Sequence, residues 1–189
     1  MKTEIAKIAD DVSVLLGEPL LPECEPGDAP FPGLALRVRG LLPAVLGRLL
    51  QETQRHLLSG WKELPRTLTV DDNGIGTLSL PDDYLMLGNV RVSHWIRAVE
   101  EPAPPDSFKR ALQSSEHEGI RGNSDRPVAV ETITGNGIRC LKLYSCRRDS
   151  AIVEGSYLPV PAVSDGQVDI PPVLYPELIQ EIARKILED

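Results

Sequence analysis

With 189 residues, 41% of them hydrophobic and 25% charged, the chain is long enough to bury a real core and ordinary in composition for a soluble globular protein. A formal net charge of −8 argues against a duplex-gripping surface as the main activity, because holding phosphates takes clustered Lys and Arg. The basic residues are instead scattered, as at Arg37 and Arg39, Arg147 and Arg148, and Arg184 and Lys185.

Residues 3–16 place Ile5, Ile8, Ala9, Val12, Leu15 and Leu16 at helical spacing, and Gly17 and Pro19 stop the predicted helix. The acidic N-terminal stretch lacks the apolar run of a signal peptide, so a soluble, non-secreted protein is expected. From Glu18 to Pro32 the prolines predict an extended connector. Leu34, Val38, Leu41, Leu42, Val45, Leu46, Leu49 and Leu50 then predict a second helix, continued through His56 and Leu57 and ended at Ser59-Gly60. Gly40 and Pro43 inside it predict a kink or two pieces. Its most apolar run is broken by Arg48 and too short to span a bilayer.

From Trp61 to Val99 the period changes to two. Leu68, Val70, Leu78 and Leu80 share one parity, Thr67, Thr69, Thr77 and Ser79 the other, on either side of Asp71-Asp72-Asn73-Gly74. That pattern predicts a β-hairpin, ended by Pro81 and a turn at Asp82-Asp83. A further strand should bury Val90, Val92, His94, Ile96 and Ala98 on one face, with Arg91, Ser93, Trp95 and Arg97 opposite. A polar crossing follows over 100–126, in which Asp106 should cap a short helix covering Phe108, Ala111 and Leu112. Pro127–Ile133, Gly137–Cys146 and Ala151–Pro159 read as three more strands, the first two joined by a turn at Thr134-Gly135-Asn136-Gly137. The tail predicts a helix with Leu178, Ile179, Ile182, Ala183 and Ile186 on one side and a Glu181–Lys185 pair.

The expected fold is therefore α+β: one domain over 1–189 in which the N-terminal helices and the C-terminal helix pack together, with an inserted antiparallel β-hairpin and sheet lobe. The helical lobe is expected to comprise 1–60 and 172–189, and the β-rich lobe 61–171. Cys24, Cys140 and Cys146 provide no disulfide framework. One unbroken strand would hold Cys140 and Cys146 roughly 20 Å apart at about 3.3 Å per residue, beyond the roughly 7 Å limit for a bridge. A reducing compartment is the better expectation.

No arrangement of residues carries chemistry. The carboxylate pairs Asp71-Asp72 and Asp82-Asp83 sit in turns, where Asp accepts local backbone hydrogen bonds, and strand neighbours diverge instead of converging on a metal. His94 lies among apolar residues and lacks an identifiable nucleophile or acid. His117 is not followed by the second histidine of a zinc-protease helix, and neither glycine pair extends into a phosphate loop. No catalytic, cofactor-binding or metal-binding residue is assigned, and the protein is expected not to be an enzyme.

In its order of elements the chain resembles the head–tail adaptor (connector) proteins of tailed bacteriophages and prophages. The residues that carry the likeness are Trp61-Lys62-Glu63-Leu64-Pro65, the Leu80-Pro81-Asp82-Asp83-Tyr84 passage between strands, Leu143-Tyr144, Tyr157-Leu158-Pro159, and Ile170-Pro171-Pro172 before the last helix. The resemblance implies a structural virion component found at the head–tail interface and, during assembly, in the host cytoplasm. It implies a homo-oligomeric ring, commonly of twelve copies, bridging the portal protein to a tail or stopper protein. It also implies a DNA channel through which DNA passes without specific binding, and neither cofactor nor membrane contact. The family's C-terminal helix tends to meet the portal, which would give Leu178, Ile182 and Ile186 a docking role. The hairpin tip, Asp71, Asp72, Asn73, Gly74 and Ile75, would touch a neighbour or the tail. A wall that weakly repels phosphate, consistent with the acidic balance, would let DNA slide. The alternative is a small soluble protein-binding module with no virion role, and an enzyme built on His94 ranks third.

Overall fold

A computed structural model describes residues 1–17, 32–115, 117 and 119–188. The connector expected over Glu18–Pro32, and with it Cys24, lies outside the described residues except for Pro32, which begins a helix. In chain order the elements are β1 (Lys2–Glu4), α1 (Ile5–Leu15), α2 (Pro32–Glu52), β2 (Lys62–Glu63), β3 (Thr69–Val70), β4 (Gly76–Ser79) and β5 (Tyr84–Val92). There follow α3 (Phe108–Ala111), β6 (Val128–Ile133), β7 (Arg139–Tyr144), β8 (Ile152–Pro159), β9 (Val163–Ser164), β10 (Gln167–Asp169) and α4 (Tyr175–Glu188). The fold is α+β, with antiparallel sheets inserted between helices that pack on one another.

The chain divides into two compact units, Met1–Ser59 with Val160–Asp189, and Gly60–Pro159. In the helical unit α1, α2 and α4 contact one another pairwise. Their apolar stripes meet: Ile8 and Val12, Val38, Leu42 and Leu46, and Leu178 and Ile182 are all buried. This unit also holds a small sheet in the order β1-β10-β9. The return to it was expected at residue 172 and occurs at Val160, because β10 pairs with β1 and not with the β-rich strands. Asp165 and Gly166, both at positive φ, turn β9 into β10, and the Gly166 carbonyl accepts from the Ile5 N–H, satisfying one of the donors that open α1.

Helix α2 runs through Pro43 as one element instead of two. Pro43 faces solvent while Leu42, Val45 and Leu46 are buried opposite, so the missing proline N–H falls on the wet side. The helix stops at Glu52, short of His56 and Leu57, which form a separate turn of 3₁₀ helix. In the tail the Glu181–Lys185 pair does not form; Glu181 accepts from Arg184 and from Arg48 of α2. Among the described residues no helix is long and apolar enough to cross a membrane.

The β-rich unit contains two sheets, β2-β8-β5 and β3-β4-β7-β6, which share one core. Leu78, Leu141 and Leu143 from one sheet and Tyr84, Leu87, Val90 and Tyr157 from the other belong to it. The expected hairpin pairs Thr69 with Thr77 and Val70 with Gly76, and the expected β6–β7 hairpin pairs Val128 with Tyr144 through Ile133 with Arg139. Two expectations fail here. The strand over 84–92 carries register shifts and ends at Val92, where the chain turns; Trp95 is then 2% exposed and Ile96 70% exposed, the reverse of the alternating pattern. In the crossing, Ser107 and not Asp106 caps α3, accepting from the Arg110 N–H, and Phe108 is 78% exposed because that single turn buries nothing.

Candidate functional site

The two hairpin loops, 71–75 and 134–138, are built alike. In each the first residue's N–H donates to the fifth's carbonyl (3.0 and 2.8 Å), and the glycine N–H donates back to the first's carbonyl (3.1 and 2.9 Å). The first side chain then accepts from the fifth N–H: Asp71 Oδ1 from Ile75 at 2.8 Å, Thr134 Oγ1 from Ile138 at 3.1 Å. Only Gly74 and Gly137 take positive φ, +74° and +80°, which is why glycine stands at both fourth positions. The turn reading of Asp71 is thereby explained by its own bonds.

The surroundings of the two loops differ. The Gly74 carbonyl accepts from the Cys146 N–H at 2.8 Å, and Gly74 and Ile75 are half-buried, so the second half of the first loop is fastened to its own unit. Asp71, Asp72 and Asn73 remain exposed, with Asp72 paired to Arg148 at 2.8 Å. The second loop has no such fastening: Gly135 and Gly137 have open space around them, and Ile133 and Ile138 are 65% and 51% exposed. Sequence reasoning missed these two isoleucines. The signal that could have found them is an apolar pair flanking a Gly-Asn-Gly turn, at positions where the strands have nothing left to cover.

The C-terminal docking residues need correction. Leu178 and Ile182 are fully buried within the helical unit, because the stripe they belong to is covered by α1 and α2. Ile186 is half-buried and Leu187 exposed, so only the last turn of α4 offers apolar surface.

Asp83, the second carboxylate of the Leu-Pro-Asp-Asp-Tyr passage, clamps one sheet. It accepts from Lys62 Nζ at 2.7 Å and from Tyr157 Oη at 2.9 Å, and these bonds, Lys62 first, hold its carboxyl below the usual range. Tyr84 stacks on Tyr157 with ring centroids 5.9 Å apart. Arg139 lies over the Tyr84 ring, donates to the Tyr84 carbonyl and pairs with Glu131 at 2.6 Å. The passage thus fastens β2, β5, β7 and β8 together, which is a structural task.

A polar groove of about 700 Å³ in the β-rich unit lies around Ser145 and His94. Ser145 has φ +67°, a conformation side-chain-bearing residues seldom adopt. Its carbonyl accepts from Trp95 Nε1 and from the His94 ring, and its hydroxyl donates to the Gly122 carbonyl. The other His94 nitrogen meets the Ser150 hydroxyl at 3.1 Å. Both ring nitrogens are therefore engaged in holding turns together, and among the described residues no carboxylate contacts His94 as a base there would require. Cys146, beside it, is buried, and desolvation pushes its thiol up to about 11. Among the described residues no cluster of His, Cys, Asp and Glu could hold a metal ion. No protein-family model matches the chain, and no curated protein sequence matches it.

Proposed function

We propose that this chain is a ring-forming head–tail adaptor that bridges a portal to tail components and extends the channel for DNA. The observation that carries the proposal is apolar surface left in water by the folded chain. The second hairpin tip presents Ile133 and Ile138, and the last turn of α4 presents Leu187 beside Ile186. Exposed isoleucines on a projecting, otherwise polar tip are what a contact to a second protein would cover. The layout of three mutually packed helices with an inserted β-rich unit agrees with the likeness noted in the sequence, and the net charge of −8 suits a channel that must not hold DNA.

In this reading the tip of β6–β7 and the Asp71, Asp72 and Asn73 tip, which stand at opposite ends of β7, offer two separate surfaces for a neighbouring copy or the tail, and the end of α4 meets the portal. The test is assembly. The purified chain is mixed with phage portal rings and imaged by electron microscopy; decorated rings are expected, and Ile133→Asp with Ile138→Asp should reduce decoration without unfolding the chain. Rings that stay bare at every ratio would sink the adaptor reading. The same exposed tip also favours the second reading, a module that grips one protein partner. That reading predicts a one-to-one complex formed without any portal.

A further inference from the structure

We propose that the polar groove over Ser145 binds a short carboxylate-bearing segment of a protein partner, with Arg147 as its charged anchor. The inference stands independently of the adaptor reading.

The chain holds 28 Asp and Glu residues, yet among the described residues none of them lines this groove. Its lining instead includes His94, Arg121 and Arg147 together with neutral hydrogen-bonding residues such as Gln113, Asn123 and Ser124. The two arginines of the 147–148 turn differ. Arg148 is paired with Asp72, whereas the Arg147 guanidinium forms no ion pair among the described residues and is exposed at the groove; its backbone N–H donates to the Ser150 hydroxyl at 2.7 Å and its carbonyl accepts from the Ser150 N–H at 3.0 Å. An uncompensated guanidinium beside a concave surface offers a forked donor that a carboxylate matches in shape and charge.

The floor of the groove is fixed. Ser145 joins two distant segments, one through the His94 ring and the Trp95 indole and the other through the Gly122 carbonyl, and the Cys146 N–H adds a third at Gly74. Gln113 Oε1 accepts from the Gly122 N–H at 2.8 Å, tying the crossing segment down as one wall. A ligand would therefore meet a preformed surface and would not have to order it, which removes one cost of binding. A non-glycine residue held at positive φ in such a floor is a conformation found preferentially at functional sites.

The size of the ligand follows from the charges beyond the lining. Exposed Asp125 and Asp149 stand one and two residues in the chain from the lining residues Ser124 and Arg147, while Asp72 beside Asn73 is compensated by Arg148. Repulsion from Asp125 and Asp149 grows with the charge of the ligand, so it opposes a long polyanion such as nucleic acid more than an extended peptide with one or two carboxylates.

Trp95 supplies an internal probe, since its indole N–H bonds to the floor carbonyl while its ring is buried. The full chain is titrated with an N-acetylated Gly-Glu-Glu-Gly peptide, its Gln-Gln counterpart, inorganic phosphate and a short single-stranded oligonucleotide. Tryptophan emission and backbone amide shifts of Gly122, Ser145 and Cys146 are followed. The expected result is saturable binding of the acidic peptide alone, weakened about tenfold by Arg147→Ala, abolished by Arg147→Glu and unchanged by Arg148→Ala. These side chains are exposed, and far-ultraviolet dichroism verifies that the variants fold. The proposal is overturned if the acidic peptide causes no saturable shift at millimolar concentration, or if Arg147→Glu binds it as well as the parent. It is equally overturned if phosphate or the oligonucleotide binds as tightly as the peptide.

Discussion

Replacing Gly88 by alanine is the sharpest test of how the β-rich unit is packed. A Cβ at position 88 would stand 2.4 Å from Ser156 Oγ and 2.9 and 3.0 Å from two ring carbons of Trp61. Neither neighbour yields cheaply. Ser156 Oγ donates to Asn89 Oδ1 at 2.6 Å, so turning it away breaks that bond, and Trp61 occupies its place because position 88 has no side chain. Overpacking of one methyl in a tight site costs about 1–3 kcal/mol. For a unit of this size that corresponds to a fall in Tm of roughly 4–8 °C for each kcal/mol. The assay is thermal unfolding followed by circular dichroism, with Gly135→Ala as control, since nothing lies within 4 Å of a Cβ there. A second arm uses Ser156→Ala: with the closest obstacle gone, Gly88→Ala should cost about 1 kcal/mol less in that background than in the parent. If Gly88→Ala melts with the parent and Gly135→Ala does not, or if Ser156→Ala gives no relief, the packing described between β5, β8 and Trp61 is wrong.

Three further outcomes are expected. Glu181 is held down to about 2, first by the hydrogen bond from Arg184 and then by that from Arg48, against 4.5 for a free carboxyl. A depressed carboxyl stabilises the fold above its unfolded pKa, so this contribution should be intact at neutral pH and fade as pH falls from about 4.5 towards 2; acid titration of denaturant midpoints should show a shallower loss in Glu181→Gln. Asp71→Ala removes acceptors for the Asn73 and Ile75 N–H groups and should cost about 1 kcal/mol in urea unfolding. Asp72→Ala, which breaks only an exposed pair with Arg148, should be nearly neutral; equal costs would refute the turn assignment. Cys146, buried and with its thiol raised to about 11, should resist iodoacetamide in the native protein at pH 8 and react on unfolding, as read by peptide mass spectrometry; ready native labelling would place it elsewhere.

The adaptor reading and the groove proposal draw on different surfaces, and their failures are separable. Loss of portal decoration after changes at Ile133 and Ile138 says nothing of Arg147. Loss of acidic-peptide binding in Arg147→Glu leaves the hairpin tip intact. Together they would assign one apolar and one cationic contact to the same β-rich unit, a combination suited to partners met in a fixed orientation.

Periodicity alone determined the parts that depend on near neighbours in the chain. The apolar stripes through Ile8 and Val12, Leu42 and Leu46, and Leu178 and Ile182 mark three helices that need one another, and the Gly74 and Gly137 turns mark two hairpins. The Asp165-Gly166 turn was not read from the sequence, because the strands it joins are two and three residues long and too short to show a period. Only the tertiary structure decided which apolar surface stays uncovered. Leu178 and Ile133 look alike in sequence, yet the first is buried by two other helices and the second ends its strand at an exposed hairpin turn. The groove was decided in the same way, since Gly74, His94, Gly122 and Ser145 meet only through hydrogen bonds between residues far apart in the chain. Local spacing fixes the conformation of a segment; burial and convergence depend on what the rest of the fold brings alongside it.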